Sequence, residues 1–347
     1  MTDMMQRVVL ASRPQGEPTD ENFRLESVPV PAPGDGEVLV RVSHMSLDPY
    51  MRGRMDDAKS YAKPVEVDHT MEGGAVGEVI ASNHPNFAPG DFAFGMFGWA
   101  SHGCLPGNQL QKLDPAHGPI TNALGVLGMP GFTGWFGLTE YGKPKAGETL
   151  VVAAATGPVG SMVGQMGKQL GLRVVGIAGG PEKCKLAKET FGFDECLDHY
   201  AYEDANALRA ALKEACPDGV DIYFENVAGK VLEAVLPLMN VGARIPLCGM
   251  VAWYNAGALG ANQKGTKDQL PKMWRSILVN RMHVHGFIIS DHYDRYPDFL
   301  ADAGPRVATG KIKSVEDIAE GLENAPRAFM NMLKGGNFGK QIVKLAD

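Results

Sequence analysis

Between residues 148 and 289 the sequence alternates between short apolar runs and helical segments. The apolar runs, which have the length of buried strands, are 148–155, 173–179, 195–199, 219–227, 243–249 and 283–289. Helical patterns separate the first of these runs, at 160–171, 182–192 and 203–216. Strands and helices that alternate at this spacing form parallel sheets covered by helices on both faces. The sequence therefore predicts an α/β chain with a doubly wound parallel sheet.

A glycine-rich turn joins the first predicted strand to the first predicted helix. Gly157, Gly160 and Gly164 follow the strand, while Ala155 stands where a G-x-G-x-x-G motif has its first glycine. Glycines in such a turn let the backbone approach a pyrophosphate, which the free N–H groups and dipole of the helix N-terminus attract. Gly164 is expected to let the helix pack closely on the sheet. We interpret the turn as a dinucleotide-binding loop, and the alternative is a purely structural turn.

The end of the second predicted strand indicates which nucleotide binds. NAD-binding chains usually carry Asp or Glu there, about 20 residues after the first loop glycine. Here the positions are Ala178, Gly179 and Gly180, which leave room for a 2′-phosphate, and Lys183 follows them. A charge-assisted contact from Lys183 would contribute about 1.5–3 kcal/mol, or one to two orders of magnitude in favour of NADP. Glu182 opposes this interpretation unless it is only a first-turn acid that complements the helix dipole.

The first third of the chain is rich in Gly and Pro and has a different pattern. The segments 36–47, 73–82 and 91–103 are predicted strands of an antiparallel β domain that ends near residue 128. A helical segment, 128–142, then marks the change of pattern. The C-terminal run FGKQIVKLAD again has the pattern of a strand, and we expect it to return to the first domain.

Charge and composition argue against several classes of protein. The 347-residue chain has a formal net charge of −7, which is unsuited to nonspecific nucleic-acid binding. No run of about 18 apolar residues is present to span a membrane. The five cysteines never occur as C-x-x-C, and the N-terminal residues lack the apolar core of a signal peptide. These features predict reduced thiols and a cytoplasmic protein.

Several motifs along the chain are distinctive. SLDPYMRGRM and GMPGFTGWFGL are the most specific, and AAATGPVGSMVGQMGKQLG, YFENVAG and NFGKQIVKL add to them. Together they resemble the zinc-independent branch of the medium-chain dehydrogenase/reductase superfamily, which holds prostaglandin reductase (leukotriene dehydrogenase), plant double-bond reductases and bacterial curcumin reductase. The resemblance implies a GroES-like catalytic domain at 1–128 and 304–347 and a Rossmann NADP-binding domain at 129–303. It also implies a homodimer and NADPH-dependent reduction of the C=C bond of α,β-unsaturated ketones or aldehydes.

The resemblance also assigns cofactor contacts by motif position. The contacts to the 2′-phosphate fall on Lys183 and Tyr200. Asn226 and Asn337 fall where the family binds the ribose, pyrophosphate or nicotinamide. Further contacts to NADP(H) are expected at Thr133, Gly157, Pro158, Val159, Gly160, Gly179, Cys248, Gly249 and Phe287.

The motifs do not favour a metal site. Zinc-dependent relatives need a cysteine and a Gly-His-Glu run for the catalytic metal, and four close cysteines for a structural one. This chain has SLDPY and TMEGG at the two catalytic positions and no cysteine cluster. His69 and Glu72 would supply only two of the three protein ligands that a catalytic zinc requires. We therefore expect no metal.

Without a metal, hydrogen-bond donors must polarise the carbonyl group of the substrate. Hydride from the nicotinamide would attack the β-carbon, and a tyrosine or a ribose hydroxyl would stabilise the resulting enolate. Tyr50, Tyr254 and Tyr61 are the candidate catalytic residues, because each lies on a predicted loop or near the sheet edge where ligands bind. The alternative for each is a buried or interfacial aromatic residue with a satisfied hydroxyl. Arg52 is expected to hold its loop through an ion pair.

Two other functions remain open at this point. A quinone oxidoreductase is the alternative enzyme, although the DPYMRGRM loop favours an enone reductase with a small apolar unsaturated carbonyl substrate. A non-catalytic NADP-binding protein belongs to a different class altogether. The candidate tyrosines argue against a non-catalytic protein.

Overall fold

The computed structural model describes residues 3–261 and 270–345, which form two compact units. The first unit contains residues 3–125, 254–261 and 316–345. The second contains residues 126–253 and 270–315. The short segment 254–261, which begins with the candidate Tyr254, thus belongs to the same unit as the N-terminal and C-terminal parts of the chain.

The strands and α-helices of the described residues are numbered in chain order. The strands are β1 (Met4–Leu10), β2 (Phe23–Pro29), β3 (Glu37–Ser46), β4 (Ala75–Ser82), β5 (Phe92–Gly95), β6 (His102–Pro106), β7 (Gln111–Leu113), β8 (Thr149–Ala153), β9 (Arg173–Ala178), β10 (Glu195–Asp198), β11 (Val220–Phe224), β12 (Met239–Leu247), β13 (His283–Gly286), β14 (Glu316–Glu320) and β15 (Lys340–Lys344). The helices are α1 (Tyr50–Arg54), α2 (Met129–Phe136), α3 (Pro158–Gln169), α4 (Pro181–Glu189), α5 (Ala205–Ala215), α6 (Gly229–Val235), α7 (Val251–Tyr254), α8 (Leu270–Asn280), α9 (Tyr296–Ala308) and α10 (Ala325–Leu333). None of the helices in these described ranges is long and apolar enough to cross a bilayer.

The second unit is built on a six-stranded sheet. The strand order is β10-β9-β8-β11-β12-β13, and every pairing between these strands is parallel. Counted within the unit, the order is 3-2-1-4-5-6, which is that of the dinucleotide-binding doubly wound fold. The predicted fold class is therefore confirmed. The direction of winding reverses between β8 and β11, and ligands of such folds bind beyond the carboxyl ends of the strands at this point.

Two apolar layers cover the faces of this sheet. Leu150 and Val152 of β8 join a core that includes side chains of α2, α3 and α9. Val151 and Ala153 join a second core with side chains of α5 and α6. Alternate residues of a strand point to opposite faces, so a strand covered on both sides must be apolar throughout. This explains why β8 appears in the sequence as an uninterrupted apolar run.

The predicted elements of the second unit match the structure best around β8 and β9. The helix predicted over 160–171 is α3, which starts at Pro158 because proline is well accommodated in the first turn of a helix. The later strands are displaced from their predicted bounds: β12 begins at Met239 instead of 243, and β13 ends at Gly286 instead of 289. Helices α8 and α9 have no counterpart among the predicted elements.

The first unit contains a seven-stranded sheet and a separate antiparallel pair, β1 with β2. The pairing path of the larger sheet is β14-β15-β3-β4-β5-β7, and β6 also pairs with β3. The C-terminal strand β15 pairs with β3, Ile342 opposite Ser46, so the predicted return of the chain to the first domain is confirmed. The prediction of one strand over 91–103 is wrong in its middle. Gly98 adopts a left-handed φ of 76° between β5 and β6 and ends the extended run.

Trp99 lies in the core of the first unit. Its buried ring stacks on Phe23 with centroids 5.6 Å apart and meets Phe329 of α10 edge-on at 5.4 Å. Val40 and Val42 of β3 belong to the same core. Aromatic pairs of this geometry stabilise a fold beyond the area that they bury. Through them α10 is joined to the β-rich part of the unit.

Candidate functional site

The turn between β8 and α3 is shaped by a close backbone contact. Ala154 has a left-handed φ of 47°, Gly157 precedes the helix, and Gly160 lies in its first turn. A Cβ atom on Gly160 would lie 2.3 Å from the carbonyl oxygen of Ala154, so only glycine fits there. The first N–H groups of a helix have no acceptor within the helix. The turn therefore presents these donors at the carboxyl edge of the sheet, as the binding of a pyrophosphate requires.

Ala155, the departure from the G-x-G-x-x-G pattern, is accommodated by a glycine on the neighbouring strand. Ala155 is fully buried, and a Cβ atom on Gly176 of β9 would lie 2.9 Å from the Ala155 Cβ atom. The methyl group thus occupies the space that Gly176 leaves free. Gly164 acts differently from the prediction: a Cβ atom there would lie 1.9 Å from the ring of Phe193, so the glycine makes room for this ring.

The end of β9 carries small residues and a nearby cation, as the sequence indicates. The strand ends at Ala178, and the aromatic ring of Tyr200 covers Gly179 so closely that a Cβ atom there would lie 2.6 Å from it. Lys183 is half-buried in the first turn of α4, and Glu182 beside it is exposed. The structure therefore brings Gly179, Lys183 and Tyr200 to one part of the carboxyl edge.

The acid at the end of β10, Asp198, is engaged by the backbone. Its Oδ1 atom accepts hydrogen bonds from the N–H groups of Gly180 at 2.8 Å and of Tyr200 at 2.9 Å. Asp198 thereby ties the start of α4 to the turn that carries Tyr200. Burial, with the charges of Lys230 and Lys183, lowers the pKa of the adjacent His199, which is neutral at pH 7.

Asn226, which follows β11, carries an unsatisfied polar atom. Its side-chain oxygen is buried and accepts no hydrogen bond from the residues that the structure describes. The preceding Glu225 shapes the turn, because its Oε1 atom accepts hydrogen bonds from the N–H groups of Val227 and Ala228, both at 2.7 Å. Buried polar atoms are almost always paired in folded proteins. An unpaired amide oxygen at the carboxyl edge is what a ligand-contacting Asn226 would show.

Glu225 is one of three ionisable groups at the ends of β11 and β12, of which Tyr223 and Glu225 are buried and Cys248 is half-buried. Burial raises its pKa to about 7, although the two backbone N–H groups favour the charged form. Burial also raises the pKa of Tyr223 well above its usual value and that of the Cys248 thiol to about 12, with the Glu225 charge adding to both shifts. Tyr223 and Cys248 are therefore neutral at physiological pH, whereas Glu225 titrates near it.

The remaining predicted cofactor residues occupy varied environments. Pro158 and Val159 lie in the first turn of α3, and Gly249 follows β12. The hydroxyl of Thr133 donates to the Met129 carbonyl within α2 at 2.8 Å, which leaves it free only to accept. The ring of Phe287 packs against those of Phe136 and Tyr141. Asn337 belongs to the first unit, where its side-chain amide donates to the Gly339 carbonyl at 2.7 Å.

In the first unit, two of the candidate tyrosines surround one arginine. Tyr50 opens α1, and the guanidinium of Arg54 lies 5.4 Å from the centroid of its ring. The same guanidinium lies 4.5 Å from the ring of Tyr61, which is exposed. Arg54 is itself buried and pairs with Glu72, Nε to Oε1, at 2.6 Å. Sequence reasoning missed Arg54 and considered Glu72 only as a possible metal ligand. The spacing of four between Tyr50 and Arg54 is the signal that could have found the arginine.

The segment that follows Tyr254 is held to the end of α1. Arg52 is fully buried and pairs with Asp56 at 2.6 Å, as the sequence predicts for its loop. Its second terminal nitrogen donates to the carbonyl of Gly16 at 2.8 Å. The other carboxylate oxygen of Asp56 accepts the N–H of Ala258 at 2.9 Å. Asp56 therefore fixes the loop of Tyr254 relative to the helix that carries Tyr50.

A buried ion pair holds the chain just before α1. Lys340 of β15 pairs with Asp48 at 2.7 Å and donates to the carbonyl of Leu47 at 2.8 Å. The hydroxyl of Ser46 donates to the other carboxylate oxygen of Asp48. Because an unpaired buried charge is costly, each of these groups needs the others. The SLDPY and NFGK motifs are thus parts of one arrangement that positions Tyr50.

No group of three or more His, Cys, Asp or Glu side chains is placed to hold a metal ion within residues 3–261 and 270–345. Of the two candidate metal ligands from the sequence, His69 and Glu72, the glutamate pairs with Arg54. His69 is exposed and contacts the carbonyl of Val67 at 3.2 Å.

Glu225→Gln tests the electrostatics at the end of β11. As the pH rises from about 4.5 to 7, the unfolded chain loses the Glu225 proton while the folded protein keeps it. The free energy of unfolding therefore falls, by about 3 kcal/mol in total. The variant cannot ionise, so we expect its melting temperature to drop less than that of the unmodified protein between pH 5 and pH 8. Equal drops would contradict the raised pKa.

The chain matches known proteins over nearly its whole length. A family described as "N-terminal domain of oxidoreductase" matches residues 6–113, and one described as "Zinc-binding dehydrogenase" matches residues 158–303. The NADPH-dependent curcumin reductase of Escherichia coli is 51% identical over 98% of this chain and 96% of its own length. The NADP-dependent 2-alkenal reductase of Nicotiana tabacum is 38% identical over 98% and 97%.

A solved structure shows the same likeness in three dimensions. CurA from Vibrio vulnificus in complex with NADPH superposes with a TM-score of 0.91 at 50% identity, and the match covers 99% of both chains. Agreement in the β-rich unit, the six-stranded sheet and the sequence extends along the whole chain. The chain belongs to the zinc-independent branch of the medium-chain dehydrogenase/reductase superfamily.

Proposed function

We propose that this protein reduces the C=C bond of α,β-unsaturated ketones or aldehydes by hydride transfer from NADPH to the β-carbon. It is an NADP-dependent oxidoreductase that acts on CH–CH groups, and NADP(H) is its cofactor. Curcumin and 2-alkenals, after which two relatives are named, both carry a C=C bond conjugated to a carbonyl. The proposal is supported by a glycine turn in the second unit that a pyrophosphate could approach closely and, separately, by a cluster of phenols around Arg54 in the first unit.

The residues of the second unit fit the cofactor. We propose that the turn at Gly157–Gly160 binds the pyrophosphate, because Gly160 allows a close approach that a side chain would block. Lys183 and Tyr200 would bind the 2′-phosphate at the end of β9, where the strand runs into Ala178, Gly179 and Gly180 instead of the acid that NAD-binding chains carry. The buried side-chain oxygen of Asn226 would accept a hydrogen bond from the ribose or the nicotinamide. Bound NADPH supplies the hydride.

The first unit would supply the donor that stabilises the substrate oxygen. When hydride adds to the β-carbon, negative charge develops on the carbonyl oxygen. Burial raises the pKa of Tyr50 well above its usual value of 10, and the charges of Asp48 and Glu72 add to the effect. Tyr50 therefore keeps its proton at physiological pH and can donate a hydrogen bond throughout the reaction. Tyr254 and Tyr61 are proposed as the further contacts to the substrate.

The second unit also supports the proposed homodimer. Leu270, Trp274 and Leu278 follow one another at intervals of four on α8, and all three side chains are exposed. Strand β13 forms an edge of the six-stranded sheet, and its residues are exposed too. An exposed apolar stripe, and a sheet edge that pairs with no further strand of the described residues, are surfaces that proteins normally cover. A second copy of the chain would cover both.

Lys183→Ala tests the choice of nucleotide. Loss of the charge-assisted contact should raise the KM for NADPH about ten- to a hundredfold and leave the KM for NADH unchanged. Lys185→Ala, an exposed lysine on the same helix, is the matched control. Steady-state rates with both nucleotides and an enone provide the measurement. An equal effect on NADPH and NADH would contradict the role of Lys183.

Tyr50→Phe and Tyr254→Phe test the proposed donors. Each variant should lower kcat about ten- to a hundredfold, the usual range for a hydrogen bond to a developing charge, without changing the affinity for NADPH. Tyr141→Phe in the second unit is the control, since its ring packs against Phe287 and His285. The measurement is enone reduction followed at the NADPH absorbance. Full activity in both variants would rule out their catalytic role.

A further inference from the structure

Arg54 occupies an unusual place for a charged side chain. Only 5% of the residue is exposed, and its guanidinium lies against the rings of Tyr50 and Tyr61 at 5.4 and 4.5 Å. A cation is attracted to the face of an aromatic ring, so the two rings and the arginine orient one another. Glu72 also fixes the guanidinium, because its Oε1 atom accepts a hydrogen bond from Nε at 2.6 Å.

One donor of this buried guanidinium is unused. Nη1 of Arg54 is buried and makes no hydrogen bond to the residues that the structure describes. An arginine has five N–H donors, and the hydrogen bond to Glu72 uses the one on Nε. A buried charged donor without a hydrogen-bond partner destabilises the folded protein unless a ligand accepts the hydrogen bond.

The neighbouring hydroxyl groups favour the second explanation. Burial raises the pKa of Tyr50, and partial desolvation of its hydroxyl raises the pKa of Tyr61 although much of that side chain is exposed, so both phenols are protonated and can donate. The two acids of this region are already paired, Glu72 with Arg54 and Asp48 with Lys340. Since those charges cancel, the cluster offers several donors and no net charge, which suits an oxygen that gains negative charge during a reaction.

We propose that Nη1 of Arg54, together with the hydroxyls of Tyr50 and Tyr61, forms a binding site for a substrate oxygen that carries negative charge, such as an enolate or phenolate oxygen. The proposal rests on the proposed reduction of enones, whose intermediate is an enolate. It adds a direct charged contact to the tyrosine donors. It also predicts selection for ligands with a partly anionic oxygen over neutral ligands of the same shape.

The test uses 4-nitrophenol as the probe and the full-length protein loaded with NADP⁺. We expect the ionised form to bind more tightly than the neutral form, with binding followed by the change in absorbance at pH values on both sides of the probe's own pKa. Arg54→Met should weaken binding of the anion tenfold or more and remove the preference for it. Arg41→Met is the matched control, because Arg41 pairs with Glu78 on the exposed surface of the same unit.

A second variant guards against loss of folding in Arg54→Met. Arg54→Lys keeps the charge, but one ammonium group cannot serve Glu72 and the ligand in the way that a planar guanidinium does. It should bind the anion severalfold less tightly than the unmodified protein. Unchanged affinity for 4-nitrophenolate in the folded Arg54 variants would overturn the proposal.

The two proposals fail in different ways. A protein that reduces no enone but binds 4-nitrophenolate through Arg54 would contradict the proposed function and support the oxygen site. A protein that reduces enones, and whose Arg54 variants bind the anion as tightly as Arg41→Met does, would support the function and refute the role of Arg54.

Discussion

The close approach of α3 to the carbonyl of Ala154 is the constraint on which the second unit depends. Because a Cβ atom on Gly160 would lie 2.3 Å from that oxygen, the chain can turn from β8 into α3 this tightly only with glycine. The tight turn places the free N–H groups of α3 at the carboxyl edge, beside the point where the strand order reverses. Ala155 in place of the first glycine of the motif does not disturb the turn, since Gly176 on β9 makes room for its methyl group. The proposed pyrophosphate site and the packing of α3 against β8 thus share one steric requirement.

In the first unit, the main constraint is the position of the very short helix α1. Five residues are too few for a helix to be stable alone, so α1 depends on tertiary contacts. Three ion pairs with at least one buried partner provide them: Asp48–Lys340, Arg52–Asp56 and Arg54–Glu72. Such pairs contribute little net stability, but breaking one leaves an uncompensated charge. They therefore specify the position of Tyr50 and its neighbours more than they stabilise the unit.

Sequence reasoning worked where the signal is local. The buried strands β8 and β9 stand out as apolar runs, and the absence of an acid at Ala178–Gly180 is visible without a structure. It failed where the determinant lies far along the chain. Arg54 and Glu72 are separated by a loop whose path no periodicity reveals, and the role of Gly164 depends on the distant Phe193. The start of β12 was missed because MNVGAR mixes polar and small residues at a partly exposed position.

The proposed reduction of conjugated C=C bonds rests on the glycine turn of the second unit and on the donor cluster around Arg54 in the first unit. The most direct test is to follow a deuterium atom from NADPH labelled at the nicotinamide C4. With an enone such as 4-phenylbut-3-en-2-one, NMR of the product should show the saturated ketone, with deuterium on the β-carbon and the carbonyl intact. Deuterium on the carbonyl carbon of an allylic alcohol, or turnover of quinones alone, would contradict the account.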